Sequence, residues 1–194
     1  MYCFVLNRKN SYYRLSLLKR LSQIETNWSF VSDGEETPNG FSFAGISAGL
    51  KDSKKKDLAL ILAPKNSICS GLFTQSIVRA SCIDLCEKRI KNSSGFIRAI
   101  LINSGQANAC TGDFGMQHTL IATKKVSQLL GIKDEEVLMC STGVIGIPIQ
   151  IKNLIDNLPE LVKELKTNNF QNAAEAILTT DLVDKKITIE TFIE

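Results

Sequence analysis

Two apolar runs that end in small polar, glycine-rich stretches constrain this chain more than any other feature. Ala99-Ile-Leu-Ile102 opens into Asn103-Ser-Gly-Gln-Ala-Asn-Ala-Cys-Thr-Gly112, and Val137-Leu-Met-Cys140 stops at Ser141-Thr-Gly-Val-Ile-Gly146. Short continuous apolar runs bounded by turn residues read as short buried strands. Such strands, ending at loops rich in Gly, hydroxyl and amide groups, are how α/β proteins present backbone N–H groups to a small ligand. Neither loop is a Walker loop or a dinucleotide fingerprint, because the glycine spacings fit neither. The loops alone leave two readings open: a small-molecule site for an anion or oxyanion, or ordinary turns.

Around them the chain alternates strand and helix signals. Phe41–Phe43 leads to Gly45-Ile-Ser-Ala-Gly-Leu-Lys51, and Lys51–Lys56 reads as a solvated, charged turn. Asp57–Leu62 and Ile68–Phe73 read as strands separated by Pro64-Lys-Asn. Arg79–Arg89 fits a short helix. Met116, Leu120, Thr123, Val126 and Leu130 follow the helical period, with Asp113 as a cap and Gly131 as a stop. Ile151 to Leu165 traces a further apolar helix face, which Pro159 either kinks or restarts. Helical spacing continues from Phe170 to Ile177, and Ile187, Ile189 and Ile193 alternate as a half-buried strand. Interleaved strands and helices give an α/β or α+β domain.

Charge is informative only once it is divided. Residues 1–26 carry Arg8, Lys9, Arg14, Lys19 and Arg20 against Glu25, a local +4, so the other 168 residues sum to −1 of the total +3. No basic face for nucleic acid is left outside that segment. No apolar run reaches the ~20 residues of a membrane span. Residues 1–26 are expected to be an extension without fixed structure, and a basic amphipathic leader with Leu17, Leu18, Leu21 and Ile24 at helical spacing keeps an organellar transit peptide as the alternative to a cytoplasmic protein. The domain proper is then 27–194. The six cysteines form no regular framework, which points to reduced thiols. Cys82 and Cys86 lack a second ligand pair at zinc spacing. His118, the lone histidine, sits off the apolar face of its helix and is poorly placed as a general base.

Taken together, Asn103–Gly112 and Cys140–Gly146, with Gly45–Lys51, Asp57–Ile61 and Ile177-Leu-Thr-Thr-Asp181, resemble the ornithine acetyltransferase (glutamate N-acetyltransferase) family of arginine biosynthesis from about Asn27 onward. The resemblance implies layered sheets sandwiched between helices, incomplete without a second chain. It implies acyl transfer: a threonine nucleophile takes acetyl from N-acetylornithine and passes it to glutamate, with no bound cofactor or metal; use of acetyl-CoA as a further donor, which separates bifunctional members from those that only recycle acetyl, stays open. Thr142 and Gly143 correspond to the family's oxyanion hole, and Thr179 to its substrate-contacting threonine. The nucleophile itself is expected on a C-terminal β chain released by self-cleavage at an Ala-Thr bond, beyond a Lys-Gly-Ser-Gly segment; neither is found here, and a dimer of αβ units is the implied assembly. Residues 1–194 alone are therefore expected to be inactive. Gln106 stands where the family commonly has Asn and Gln150 where it often has Pro, neither at a position assigned to chemistry. The competing reading is a non-catalytic domain that keeps the fold and binds a small ligand or a partner.

Overall fold

The apolar runs become adjacent strands of one sheet. A computed structural model describes residues 2–6, 28–32, 36–181 and 183–191. Its strands are β1 (Tyr2–Leu6), β2 (Trp28–Ser32), β3 (Ser42–Ile46), β4 (Leu58–Leu62), β5 (Ile68–Leu72), β6 (Ala99–Gln106), β7 (Val137–Val144) and β8 (Thr188–Thr191). Its helices are α1 (Ser81–Asn92), α2 (Gly112–Leu130), α3 (Ile151–Lys163) and α4 (Phe170–Ala176). The main sheet runs β3-β4-β6-β7, antiparallel until the last pair, β6 and β7, which are parallel. The α/β architecture expected from the alternation of runs is what forms.

Both faces of the sheet are covered, which is why its strands are apolar without alternation. On one face Leu58, Leu60, Leu101 and Met139 pack with Val126 of α2 and Leu154, Leu158 and Leu161 of α3. On the other, Phe43 and Ala59 pack with Ala173 and Ala176 of α4, while Ile100 and Leu138 meet Cys69 of β5 and Cys86 of α1. Full burial of each large side chain contributes about 1.5–3 kcal/mol. Helix α3 passes through Pro159 and ends at Lys163, so the proline neither stops it nor starts a second helix.

α1 also closes the outer side of β7. Arg89 Nη1 donates to Val137 O at 2.5 Å and Cys86 Sγ to Met139 O at 3.2 Å. Burial lowers the Arg89 pKa and raises that of the neighbouring Cys82 thiol. At the other side of the sheet, Phe43 and Lys166 exchange backbone bonds of 2.9 and 3.0 Å.

Three expectations change in detail. Tyr2–Leu6, expected to lack fixed structure, pairs antiparallel with β5; the leader's apolar residues at 17, 18, 21 and 24 lie outside the described residues. Helix α2 buries Thr123 and Val126 of the expected face, but together with Gly115, Thr119, Ala122 and Ser127, while Leu120 is 43% exposed. The small-residue face wins because close packing there leaves no room. A Cβ on Gly115 would lie 2.1 Å from Thr111 Oγ1, and the buried hydroxyls of Thr119 and Thr123 are satisfied by carbonyls one turn back, at 2.8 and 2.9 Å. Ile187 and Ile189 are exposed rather than half-buried, because β8 pairs only with β2; residue 193 lies outside the described residues.

Gly45 sets how closely α4 approaches the sheet. A Cβ there would lie 2.0 Å from Asn172 O, so the backbone of α4 rests directly on β3. Gly45→Ala is expected to push α4 outward and cost about 1–3 kcal/mol, the range for overpacking a filled site. A lower urea midpoint at unchanged m-value would show it; an unchanged midpoint would mean that α4 is free to shift.

Candidate functional site

Strands β6 and β7 do not stop where their apolar residues do. The parallel ladder continues through Asn103↔Ser141, Ser104↔Thr142, Gly105↔Gly143 and Gln106↔Val144. The stretches expected to be loops after Ile102 and Cys140 are thus strand for four more residues each. Small side chains allow it. Ser141 Oγ and Asn103 Oδ1 are 2.6 Å apart across the ladder, and Asn103 Nδ2 donates to Gln106 O at 3.0 Å. At the glycine pair nothing larger fits: a Cβ on Gly143 (φ +131°) would lie 2.3 Å from Gly105 C, and one on Gly105 (φ +114°) 2.7 Å from Leu50 O. The 50–51 loop lies as a top layer on Gly105, which faces Gly143 in the ladder.

The loop of the top layer is fixed by one buried carboxylate. Asp57, with no exposed surface, accepts the backbone N–H groups of Ala48 at 2.6 Å, Leu50 at 2.7 Å and Lys51 at 3.0 Å. The Gly45–Lys51 and Asp57–Ile61 motifs are therefore two halves of one device. After Gln106 the chain turns through Asn108 (φ +51°), whose amide donates to Gly115 O at 3.1 Å and Thr119 Oγ1 at 2.8 Å, tying the turn to α2.

The segment bearing Thr179 reaches the same place from α4. Beyond the close approach at Gly45, Lys56 Nζ binds Asn172 Oδ1 at 2.6 Å and Glu175 Oε2 at 2.7 Å; the bond from Lys56, with a second from Gln171, holds the Glu175 carboxyl below its ordinary pKa. The carbonyls that a helix end leaves without intrahelical partners are also taken. Ser104 Oγ donates to Ala176 O at 2.6 Å and Lys51 Nζ to Leu178 O at 3.0 Å.

The result is an open cleft of about 710 Å³ lined by residues that include Lys51, Gln106, Thr142, Gly143 and Thr179. The three residues singled out from the sequence, Thr142, Gly143 and Thr179, line one cavity. Thr142 is half-buried and Thr179 exposed. Neither threonine hydroxyl has a hydrogen-bond partner among the described residues. The sequence reading missed other members. Lys51, read as part of a solvated turn, faces the cleft, and partial burial lowers its pKa against the opposing pull of Asp57. Gln106 and Gln150, set aside as departures from the family pattern, both line it; Gln106 Nε2 donates to Leu50 O at 2.7 Å while its buried Oε1 has no partner among the described residues. His118, on α2, is not among the lining residues.

Comparison with known proteins places the chain by family and fold. Residues 42–194 match the model of the ArgJ family. A relative from Prochlorococcus marinus subsp. pastoris, the arginine biosynthesis bifunctional protein ArgJ, is 88% identical over 164 residues, covering 84% of this chain and 41% of the relative. The protein of that name from Prochlorococcus marinus strain SARG is 51% identical over 86% of this chain and 40% of its own length. The chain thus spans about two fifths of the length of these relatives. Among solved structures, ornithine acetyltransferase from Mycobacterium tuberculosis, complexed with ornithine, superposes with a TM-score of 0.76 at 30% identity, covering 86% of this chain and 94% of that one. The Bacillus halodurans ArgJ structure gives 0.78 at 30% identity, with 88% of each chain covered.

Removing the anchor carboxylate tests how the cleft is built. Asp57→Asn replaces one acceptor oxygen by an N–H₂ that faces backbone donors. It is expected to cost about 2–4 kcal/mol, since buried N–H groups lose their partner. Faster amide exchange at Ala48, Leu50 and Lys51 should accompany the loss. Unaltered protection at these three amides would show that the loop holds its shape without the carboxylate.

Proposed function

The chain belongs to the ArgJ family, and on that premise we propose that it supplies the oxyanion hole and part of the substrate cleft of an acetyltransferase that moves acetyl from N-acetylornithine to glutamate. The observation that carries the reading is the convergence of Thr142 and Gly143, from the end of β7, and Thr179, from the segment after α4, on one cleft. The reaction proceeds in two halves. A threonine hydroxyl on a C-terminal β chain attacks the acetamide carbon, its proton passes to the leaving nitrogen, and the C–N bond breaks to release ornithine and leave an acetyl ester. The glutamate amine then attacks that ester and restores the hydroxyl. Acetyl-CoA is an alternative donor for the first half.

Each half passes through a tetrahedral species with negative charge on the former carbonyl oxygen. The Thr142 hydroxyl and the Gly143 N–H are the donors to it, and donors already aimed at the developing charge stabilise it without the reorganisation that water would need. The ladder that holds both residues keeps them from reorganising as the charge develops. Thr179 can both donate and accept, which suits the polar groups of an amino-acid substrate. The partner is the β chain, in a dimer of αβ units, and the compartment the cytoplasm. The residues described here hold the donors without a paired base and nucleophile, so turnover depends on that second chain.

In the full-length protein, Thr142→Ala is expected to lower kcat by roughly 10²- to 10³-fold with a smaller change in KM. Steady-state transfer from N-acetylornithine to glutamate measures it. Wild-type kcat in that variant would sink the oxyanion assignment and favour a domain that binds without catalysing.

Thr179→Val keeps the shape and removes the hydroxyl. The loss of one substrate hydrogen bond, about 1–3 kcal/mol, should appear in kcat/KM for both amino acids. Unchanged values for both would reduce Thr179 to a residue that shapes the end of α4.

A further inference from the structure

Among the residues lining the cleft, Lys51 is the one cation. Its ammonium carries three donors, and one is used, toward Leu178 O at 3.0 Å. Among the described residues it forms no ion pair, and the one carboxylate of the lining, Asp52, is not within salt-bridge distance of it. Its backbone is fixed by the Asp57 carboxylate through the Lys51 N–H, and its side chain lies over Gly105, the Cγ within 3.2 Å of where a Cβ there would stand. A cation partly stripped of water, tethered at its backbone and left with free donors, is arranged to receive an anion.

We propose that Lys51 is the carboxylate-recognising residue of the cleft, binding the α-carboxylate that donor and acceptor amino acids share. The inference rests on the acetyl-transfer reading for its substrates. In that reading N-acetylornithine and glutamate use the cleft in turn, and their side chains differ in charge and length. What they have in common is an α-nitrogen next to an α-carboxylate. One cation that holds the carboxylate therefore sets the nitrogen at the same height over Thr142 in both half-reactions, with no need for two anchors. Lys51 and Thr179 then grip the substrate from one side together, because the Lys51–Leu178 bond joins their segments.

The test compares ligands with and without the α-carboxylate in the full-length protein. The pairs are N-acetylornithine against N-acetylputrescine as donors, and glutamate against 4-aminobutyrate as ligands in calorimetry. The variants are Lys51→Met, Lys51→Gln, which keeps a donor for Leu178 O without the charge, and Lys51→Arg, which keeps the charge. Lys51→Met and Lys51→Gln are expected to lose roughly 10- to 100-fold in kcat/KM for N-acetylornithine, mainly through KM, and a similar factor in glutamate affinity. N-acetylputrescine turnover and 4-aminobutyrate binding should stay within about twofold, and Lys51→Arg should keep most of the wild-type values. Equal losses for the decarboxylated ligands would overturn the proposal, since a cation serving the fold or the transition state would act on both. No loss for either would overturn it as well. A wild-type protein that fails to move acetyl yet binds glutamate through Lys51 would separate the two claims, removing the acetyl-transfer reading and keeping the carboxylate site.

Discussion

The cleft depends on the Asp57 carboxylate. A buried, charged acceptor is costly unless its oxygens are fully engaged, and here three backbone amides engage them. The bonds run to Ala48, Leu50 and Lys51, so the loop between β3 and β4 is held by a charge at its backbone as well as by the burial of Ala48 and Leu50 in the core. That loop then sets three things in sequence: the carbonyl of Leu50 that receives Gln106, the layer against Gly105, and the origin of the Lys51 side chain that reaches Leu178.

Much of this is legible from sequence, and the reasons differ by residue. The apolar runs at 58–62, 99–102 and 137–140 announce their strands because a sheet covered on both faces needs no alternation. Thr142, Gly143 and Thr179 emerge through the family resemblance, not through spacing, and one cavity contains them. The ends of β6 and β7 are not legible. Ser, Asn and Gly carry weak strand preference, and the ladder through them exists because two such runs face each other, a relation between distant segments.

Lys51 is hidden for a similar reason. In a run of four lysines among six residues it has the look of a solvated turn, and the contacts that set it apart, with Asp57, Gly105 and the Leu178 carbonyl brought by α4, come from elsewhere in the fold. The buried face of α2 is misleading in sequence because hydrophobicity points to Leu120, whereas the close contact of Gly115 and the self-satisfied hydroxyls of Thr119 and Thr123 decide the orientation. A helix can bury threonine as readily as leucine once the hydroxyl is paired within its own turn.

The covering of β7 by α1 and of β3 by Lys166 has an architectural consequence. Carbonyls of β7 are already spoken for by Arg89 and Cys86, and β3 already exchanges bonds with Lys166. An added strand would find no vacant backbone row at either of these points and would have to displace existing bonds. The main sheet is thereby protected there from growing sideways into a larger ribbon, the route by which exposed strands recruit copies of themselves.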